Sequence, residues 1–380
     1  MFLIPSKKWR FPKKAEILIY DQESLIALEP YLVNYKTTTI AIRGESINIP
    51  CLILASLTLS FWQGSGLQVY MNMYIKLVKP QIVITTIDND WRFYEISKNF
   101  SSIVTIFIQN GLRDDIDKVY KSFNKKNSFH VDFMLVTCTP VGKKYLEYIS
   151  GEIKVIGTLK NNSVKIKNNL KKNTILFISE WAQAPADDKQ FLVSNNGKVI
   201  KWKDFFLPED FVLSFLDRWC FENHKVLQIC GRESREPQLE ATFFAERLKK
   251  CAWEYLPYNG IYGAYEYIDF AEVVVSIGST CGYESLSRGK RTAIFSCRGV
   301  TTLSSASNFG WPVVLAETGP FWTNSVHERE FERIMNSLML LSDQEWNDTI
   351  SPYLPDVMAY DEGNSTLIDL LAKLVKKPKI

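Results

Sequence analysis

Histidine is scarce in this chain: His130, His224 and His327 are the only three in 380 residues. They share no spacing with one another or with Asp and Glu that would build a metal site or a nucleophile–base triad, so both readings are set aside. The seven cysteines form no C-x-x-C pair and are odd in number. That excludes a disulfide scaffold and a zinc ribbon, and reads as core thiols in a reducing compartment. No G-x-G-x-x-G is present, and no Walker A loop: Gly282 and Gly289-Lys290 are separated by six residues where that loop has four. No apolar run reaches the ~20 residues that span a bilayer; the longest, Cys51–Trp62, reads as a buried helix. A formal net charge of +3 is too small to argue for nucleic acid.

What is present describes a folded protein, with 46% hydrophobic and 13% aromatic residues against 23% charged. The length suits two domains. At the N-terminus, charge follows a very short apolar run, the reverse of a secretory signal, and a cytoplasmic protein is expected. Lys7, Lys8, Arg10, Lys13 and Lys14 read first as a solvated basic tail and second as a contact for an anionic membrane surface, here the inner face of the cytoplasmic membrane.

Short apolar runs alternate with longer amphipathic ones, the pattern of parallel strands joined by crossover helices. Strands are expected at 16–20, 39–43, 82–87, 102–108, 133–136 and 153–155. Between Gly157 and Asn173 the composition turns to Asn, Lys and Ser, which marks a linker. A second series runs through 174–178, 225–229 and 272–277. The fold class is therefore α/β, with two successive open Rossmann-like domains. Ligands of such sheets sit beyond the carboxyl ends of the strands, so the loops there should carry the chemistry.

The most informative of those loops follows Val273-Val274-Val275-Ser276-Ile277. Gly278-Ser279-Thr280-Cys281-Gly282-Tyr283-Glu284 reads as a small-residue turn that opens a short helix, ending at Gly289-Lys290 before the strand Thr292–Phe295. Free backbone N–H groups and the positive dipole end at a helix start favour an anion, and the Ser279 and Thr280 hydroxyls add donors. Glu284, one turn on, is placed to accept from ribose hydroxyls. Other post-strand loops supply Asp88-Asn89-Asp90, Gln109-Asn110-Gly111-Leu112-Arg113-Asp114-Asp115, Arg43-Gly44-Glu45-Ser46, Ser179-Glu180-Trp181 and Cys230-Gly231-Arg232. Arg232 suits bidentate pairing with phosphate. Asp88-Asn89-Asp90 also matches a metal-holding D-x-D pattern, but further carboxylate ligands are not evident. Trp181, Trp311 and Trp322 are candidates for stacking on sugars, or for the core.

The strand, Ser-Thr, Gly, Glu, helix and Gly pattern resembles the second-domain signature of the GT-B glycosyltransferases. Together with Ile108-Gln109-Asn110-Gly111-Leu112-Arg113, Phe309-Gly310-Trp311-Pro312, Gly319-Pro320-Phe321-Trp322 and Tyr360-Asp361-Glu362-Gly363-Asn364, it is similar to the bacterial surface carbohydrate biosynthesis proteins. These in turn resemble transferases of CMP-activated ulosonic acids such as Kdo. The resemblance implies a GT-B molecule, with an acceptor-side domain over 1–160, a nucleotide-sugar domain over 174–360, and 361–380 a C-terminal helix packing back on the first domain. It implies a nucleotide-sugar donor and a glycan or lipid-linked glycan acceptor; no cofactor is expected, and no metal where the helix dipole and Arg232 neutralise the leaving phosphate. Asp88 would be the catalytic carboxylate and Glu180 the second choice. Gly231, Arg232, Ser279, Thr280, Gly282 and Glu284 would hold the nucleotide; Gln109, Asn110 and Arg113 would orient sugar or acceptor. One departure stands out: the Kdo transferases favour a His before the Gly of the Gln109-Asn110-Gly111 loop. A non-hydrolysing nucleotide-sugar 2-epimerase, short here of the histidines it needs, and a non-catalytic glycan-binding protein are the alternatives.

Overall fold

The computed structural model describes residues 6–113, 116–123, 129–167, 171–183, 190–193, 197 and 199–375; Asp114 and Asp115 lie outside them. The first part of the chain contributes β1 (Ser6–Lys8), β2 (Ile17–Tyr20), β3 (Thr37–Ile40), β4 (Ser46–Asn48), β5 (Ile82–Thr85), β6 (Val104–Ile108), β7 (Phe129–Val136) and β8 (Ile149–Val155). The second contributes β9 (Thr174–Ile178), β10 (Gln190–Val193), β11 (Val199–Lys201), β12 (Val226–Cys230), β13 (Trp253–Leu256), β14 (Val273–Ser276), β15 (Thr292–Phe295) and β16 (Trp322–Thr323). Two six-stranded sheets result, in the orders β3-β2-β5-β6-β7-β8 and β13-β12-β9-β14-β15-β16.

Every pairing within these two sheets is parallel. A parallel pair cannot be closed by a hairpin, so helices cross between strands and cover both faces. The central strands β2, β5, β9, β14 and β15 are accordingly buried along their whole length. Successive side chains of a strand leave on opposite faces. Ile17, Ile19, Ile82, Ile84, Ile106 and Ile108 form one core layer, while Leu18, Tyr20, Val83 and Phe107 enter the other with Tyr74, Phe93, Tyr94 and Tyr145. The helix Ser365–Leu374 returns to the first domain and inserts Leu367, Leu370 and Leu371 into the isoleucine layer.

One expectation is corrected. Cys51–Trp62 is not one buried helix but two, Ile49–Ser56 and Leu59–Gln63, broken where Thr58 adopts extended backbone and turns its hydroxyl onto the Ala55 carbonyl. The break leaves Leu57, Leu59 and Trp62 exposed. The Asn-rich stretch after Gly157 joins β8 of the first sheet to β9 of the second. Its helix Leu159–Ser163 is wedged between the domains, with Asn161 and Asn162 fully buried because Ser287, Arg288, Asn364 and the Ile156 carbonyl satisfy their amides.

Candidate functional site

In the second sheet the strand order reverses between β9 and β14, the position at which open α/β sheets bind ligands. The loops leaving those two strands carry Ser179-Glu180 and Gly278-Ser279. Beyond them the helix Thr280–Ser287 begins, with the Ser279 hydroxyl accepting from the Cys281 N–H at 3.3 Å. Gly282 is required by packing: a Cβ there would run into Ser276 of β14, so the helix could not lie this close to its strand. Gly111, from the other domain, has φ +132° and faces Thr280, whose Oγ1 accepts from the Leu112 N–H at 3.1 Å.

A cleft with two lobes opens here. The smaller, about 400 Å³, is lined by Asn110 and Thr158 from the first domain's side and by Gly231, Arg232, Ser279, Thr280 and Glu284 from the second. Glu284 is buried, and burial raises its carboxyl above the usual range. Its Oε1 accepts from the Thr158 hydroxyl and its Oε2 from Tyr265 Oη at 3.0 Å. The Cys281 thiol is a third partner of the same carboxylate. The larger lobe, about 650 Å³, is lined by the cations Arg113, Lys118, Arg232 and Arg298, and among the described residues Glu180 is the one lining carboxylate.

Glu180 belongs to both lobes, as do Arg232 and Thr280. Its Oε1 accepts the Gly278 N–H at 2.6 Å, its Oε2 pairs with Arg298, and its backbone carbonyl accepts from Arg232 at 3.1 Å. The N–H groups around the helix start are therefore not all free, as the pattern alone suggests: Gly278, Ser279 and Cys281 are answered by Glu180, Ser276 and Ser279. Below this layer the buried Glu240 collects the backbone N–H groups of Arg232 and Glu233 and the hydroxyls of Ser179 and Tyr255. One carboxylate thus fixes the loops after β9 and β12 against each other.

The first domain distributes its residues differently from expectation. Asp88 is buried, its carboxylate held by the Arg113 guanidinium and by Tyr145 Oη at 3.0 Å, and its carbonyl by Tyr94 and Tyr120. It lines neither lobe; Arg113 stands between it and the larger one. Gln109 is buried, its oxygen accepting from the Thr137 N–H and hydroxyl and its amide donating to the Gly111 carbonyl. It pins the loop rather than facing sugar or acceptor. Asn110 lines the smaller lobe, not the larger. Asp90 is tied to Arg92 and Tyr20, so the two acids of the D-x-D pattern hold separate guanidinium partners. The Arg43 guanidinium pairs with Asp21 and Glu23, the Glu45 carboxylate accepts the Arg43 backbone N–H at 3.2 Å, and neither residue lines a lobe.

Sequence reasoning missed Arg298 and Glu209. Arg298 is the third residue after β15, so the rule that singled out Ser279 and Glu180 also covers it. Glu209 lies inside the long helix Trp202–Glu222, where no local signal marks it. It is buried, neither oxygen has a hydrogen-bond partner among the described residues, and Arg298 Nη2 is 3.6 Å away. Burial pushes its carboxyl up to about 8; Arg298 opposes the shift and Glu180 adds to it. Among the three tryptophans singled out, Trp311 lines the larger lobe, whereas Trp181 and Trp322 are core residues. None of the three histidines lines either lobe.

Two Rossmann-like parallel-sheet domains facing a cleft at the second sheet's switch point define a GT-B protein. Residues 106–375 match the model of a family described as "putative O-antigen biosynthesis protein". The chain belongs to that family. A comparison with curated protein sequences finds no match. Among solved structures the fold is similar to S. aureus MnaA determined with UDP (TM-score 0.53, 12% identity, 97% of this chain and 99% of that one). It is also similar to a glycosyltransferase from Rickettsia africae (TM-score 0.51, 10% identity, 96% and 100%). A third is the Methanocaldococcus jannaschii UDP-GlcNAc 2-epimerase in complex with UDP-GlcNAc and UDP (TM-score 0.51, 10% identity, 94% and 99%). At these identities the likeness is one of fold. Among the described residues no helix is long and apolar enough to cross a membrane.

Proposed function

We propose that the protein is a glycosyltransferase that moves a sugar from a nucleotide-sugar donor to a surface glycan or lipid-linked glycan. The observation that carries this reading is the two-lobed cleft: a buried carboxylate, Glu284, in one lobe, a cluster of cations in the other, and Glu180 shared between them. The nucleoside occupies the smaller lobe, with Glu284 accepting from the ribose. Ser279, Thr280 and Arg232 hold the leaving phosphate, and the transferred sugar lies in the larger lobe between Trp311 and the cations. Two of the similar structures hold UDP, which supports a nucleotide as the occupant of a cleft in this fold. A sugar carrying its own carboxylate, such as a CMP-activated ulosonic acid, fits the excess of positive charge in the larger lobe.

Glycosyl transfer passes through an oxocarbenium-like transition state. As the acceptor oxygen bonds to the anomeric carbon and the bond to phosphate breaks, Glu180 is the carboxylate placed to take the acceptor proton. Arg232 and the donors around Ser279 receive the negative charge on the departing phosphate. Asp88 acts through Arg113, which it orients toward the sugar. A 2-epimerase is the second reading, favoured by the shared fold.

One assay separates these. The protein is incubated with UDP-, GDP- and CMP-activated sugars, with and without a surface-glycan fraction, and both nucleotide release and the configuration at sugar C2 are followed. Acceptor-dependent release of one nucleotide supports transfer. Inversion at C2 without acceptor supports the epimerase and overturns the proposal. Neither, from a protein that still binds nucleotide, leaves a binding module.

A further inference from the structure

The first domain carries an exposed apolar surface that its own core does not use. Between Ser46 and Ile75 the sequence has no Asp, Glu, Lys, Arg or His, and the break between the helices Ile49–Ser56 and Leu59–Gln63 turns part of this segment outward. Leu57, Leu59 and Trp62 are 77%, 76% and 74% exposed, and Ile53 is more than half exposed. The surface is continued by the N-terminal arm. β1 pairs in parallel with β4, and the Asn48 amide donates to the Arg10 carbonyl at 2.9 Å, which seats the arm at the start of the helix Ile49–Ser56. Trp9 and Phe11 are exposed there, among Lys7, Lys8, Arg10, Lys13 and Lys14. None of these five cations makes an ion pair among the described residues.

We infer that this surface docks the protein on an anionic lipid bilayer. Exposed Leu and Trp beside unpaired Lys and Arg match the apolar boundary and the negative headgroups of such a surface together. A second copy of the chain is a poor occupant, since a two-fold contact would set the same five cations against themselves. The placement also serves the cleft. The helix Gly66–Val78 runs back to β5, and its last residue, Val78, meets the start of the first sheet through the Ala15 N–H at 3.4 Å. Its thirteen residues span ~20 Å, so Gly66 and the Leu57–Trp62 corner lie toward the end where the strands finish. That is the end of the sheet on which Leu112, Arg113 and Val141 line the larger lobe. A bilayer met by this corner lies on the cleft side of the domain. The inference does not rest on the glycosyltransferase reading, and its test uses no substrate.

The test is vesicle flotation of the full chain, with phosphatidylcholine alone and with phosphatidylcholine containing phosphatidylglycerol. Binding should be at least ~10-fold stronger to the anionic vesicles and should fall steeply toward about 0.5 M salt, where charge attraction is screened within a few ångström. Leu57→Asn/Leu59→Asn should reduce it at least ~10-fold by removing the inserting groups, with the melting transition unchanged because both side chains face outward. Leu340→Asn, equally exposed in the second domain, should bind as the parent does. Equal binding to both vesicle types, undiminished binding of the double variant, an equal loss in Leu340→Asn, or a concentration-dependent dimer that the double variant abolishes would each overturn the inference.

Discussion

At the scale of single residues, three carboxylates in or beside the cleft differ in what they touch, and their variants should separate accordingly. Glu284 faces the smaller lobe from a fully buried position. Glu284→Ala should weaken nucleotide binding by at least ~10-fold, the scale of a hydrogen bond to a charged group, in titration calorimetry. Glu180→Gln keeps the shape and removes the charge, so turnover should fall by ~10²-fold or more while nucleotide affinity holds, the range for a positioned acid–base group. If Asp88→Asn alone produced that loss with unchanged affinity for the sugar part of the donor, the assignment of Asp88 as the support of Arg113 would fail. Glu209 gives a pH signature. Burial holds its carboxyl up to about 8, so the folded chain keeps a proton that the unfolded chain releases above the ordinary carboxylate range of ~4.3. The stability this proton confers is full at low pH and is lost as pH rises through that window to about 8. Glu209→Gln has no such proton, so its melting temperature relative to the parent should climb between pH 5 and 8 and level off above. A difference independent of pH would show that Glu209 is not protonated in the fold.

At the scale of elements, β14, the helix Thr280–Ser287 and β15 were legible because three local signals agree there: an apolar run, a Ser that caps, and glycines at both ends of the helix. Gly282 nevertheless has a different reason from the one its position near the helix start implies. It lets the helix approach Ser276, and Gly282→Ala should cost about 1–3 kcal/mol through overpacking, measured by denaturant unfolding. Cys51–Trp62 was misread because an unbroken apolar run carries no information about which face is covered. Only the positions of Thr58 and of the neighbouring helix Gly66–Val78 determine that Leu57 and Trp62 point outward. The burial of Asn161 and Asn162 after Gly157 was not legible for the opposite reason: the polar composition matches a loop, and the partners Ser287, Arg288 and Asn364 lie more than a hundred positions away.

At the scale of the whole molecule, a buried ion pair of the second domain braces the junction between the domains. Arg288 binds Asp269 with both side chains almost wholly enclosed, and its other nitrogens donate to Asn161 and the Val164 carbonyl in the inter-domain wedge. Arg288→Met leaves Asp269 buried without its guanidinium partner, and should lower stability by about 3–5 kcal/mol in denaturant unfolding; a change below 1 kcal/mol would mean the junction is held elsewhere. Both domains' α/β character and the loops after β9 and β14 are written in local periodicity and turn chemistry, which act over a few residues and so can be read along the chain. Which of those loops meet is set by strand order and by the closure of one domain on the other. That is why Arg298 joins Glu180 at the cleft, with Glu209 buried behind it, while Asp88 and Gln109 are buried and line neither lobe. Burial and charge pairing depend on atoms brought together from opposite ends of the chain, and only the tertiary structure fixes them.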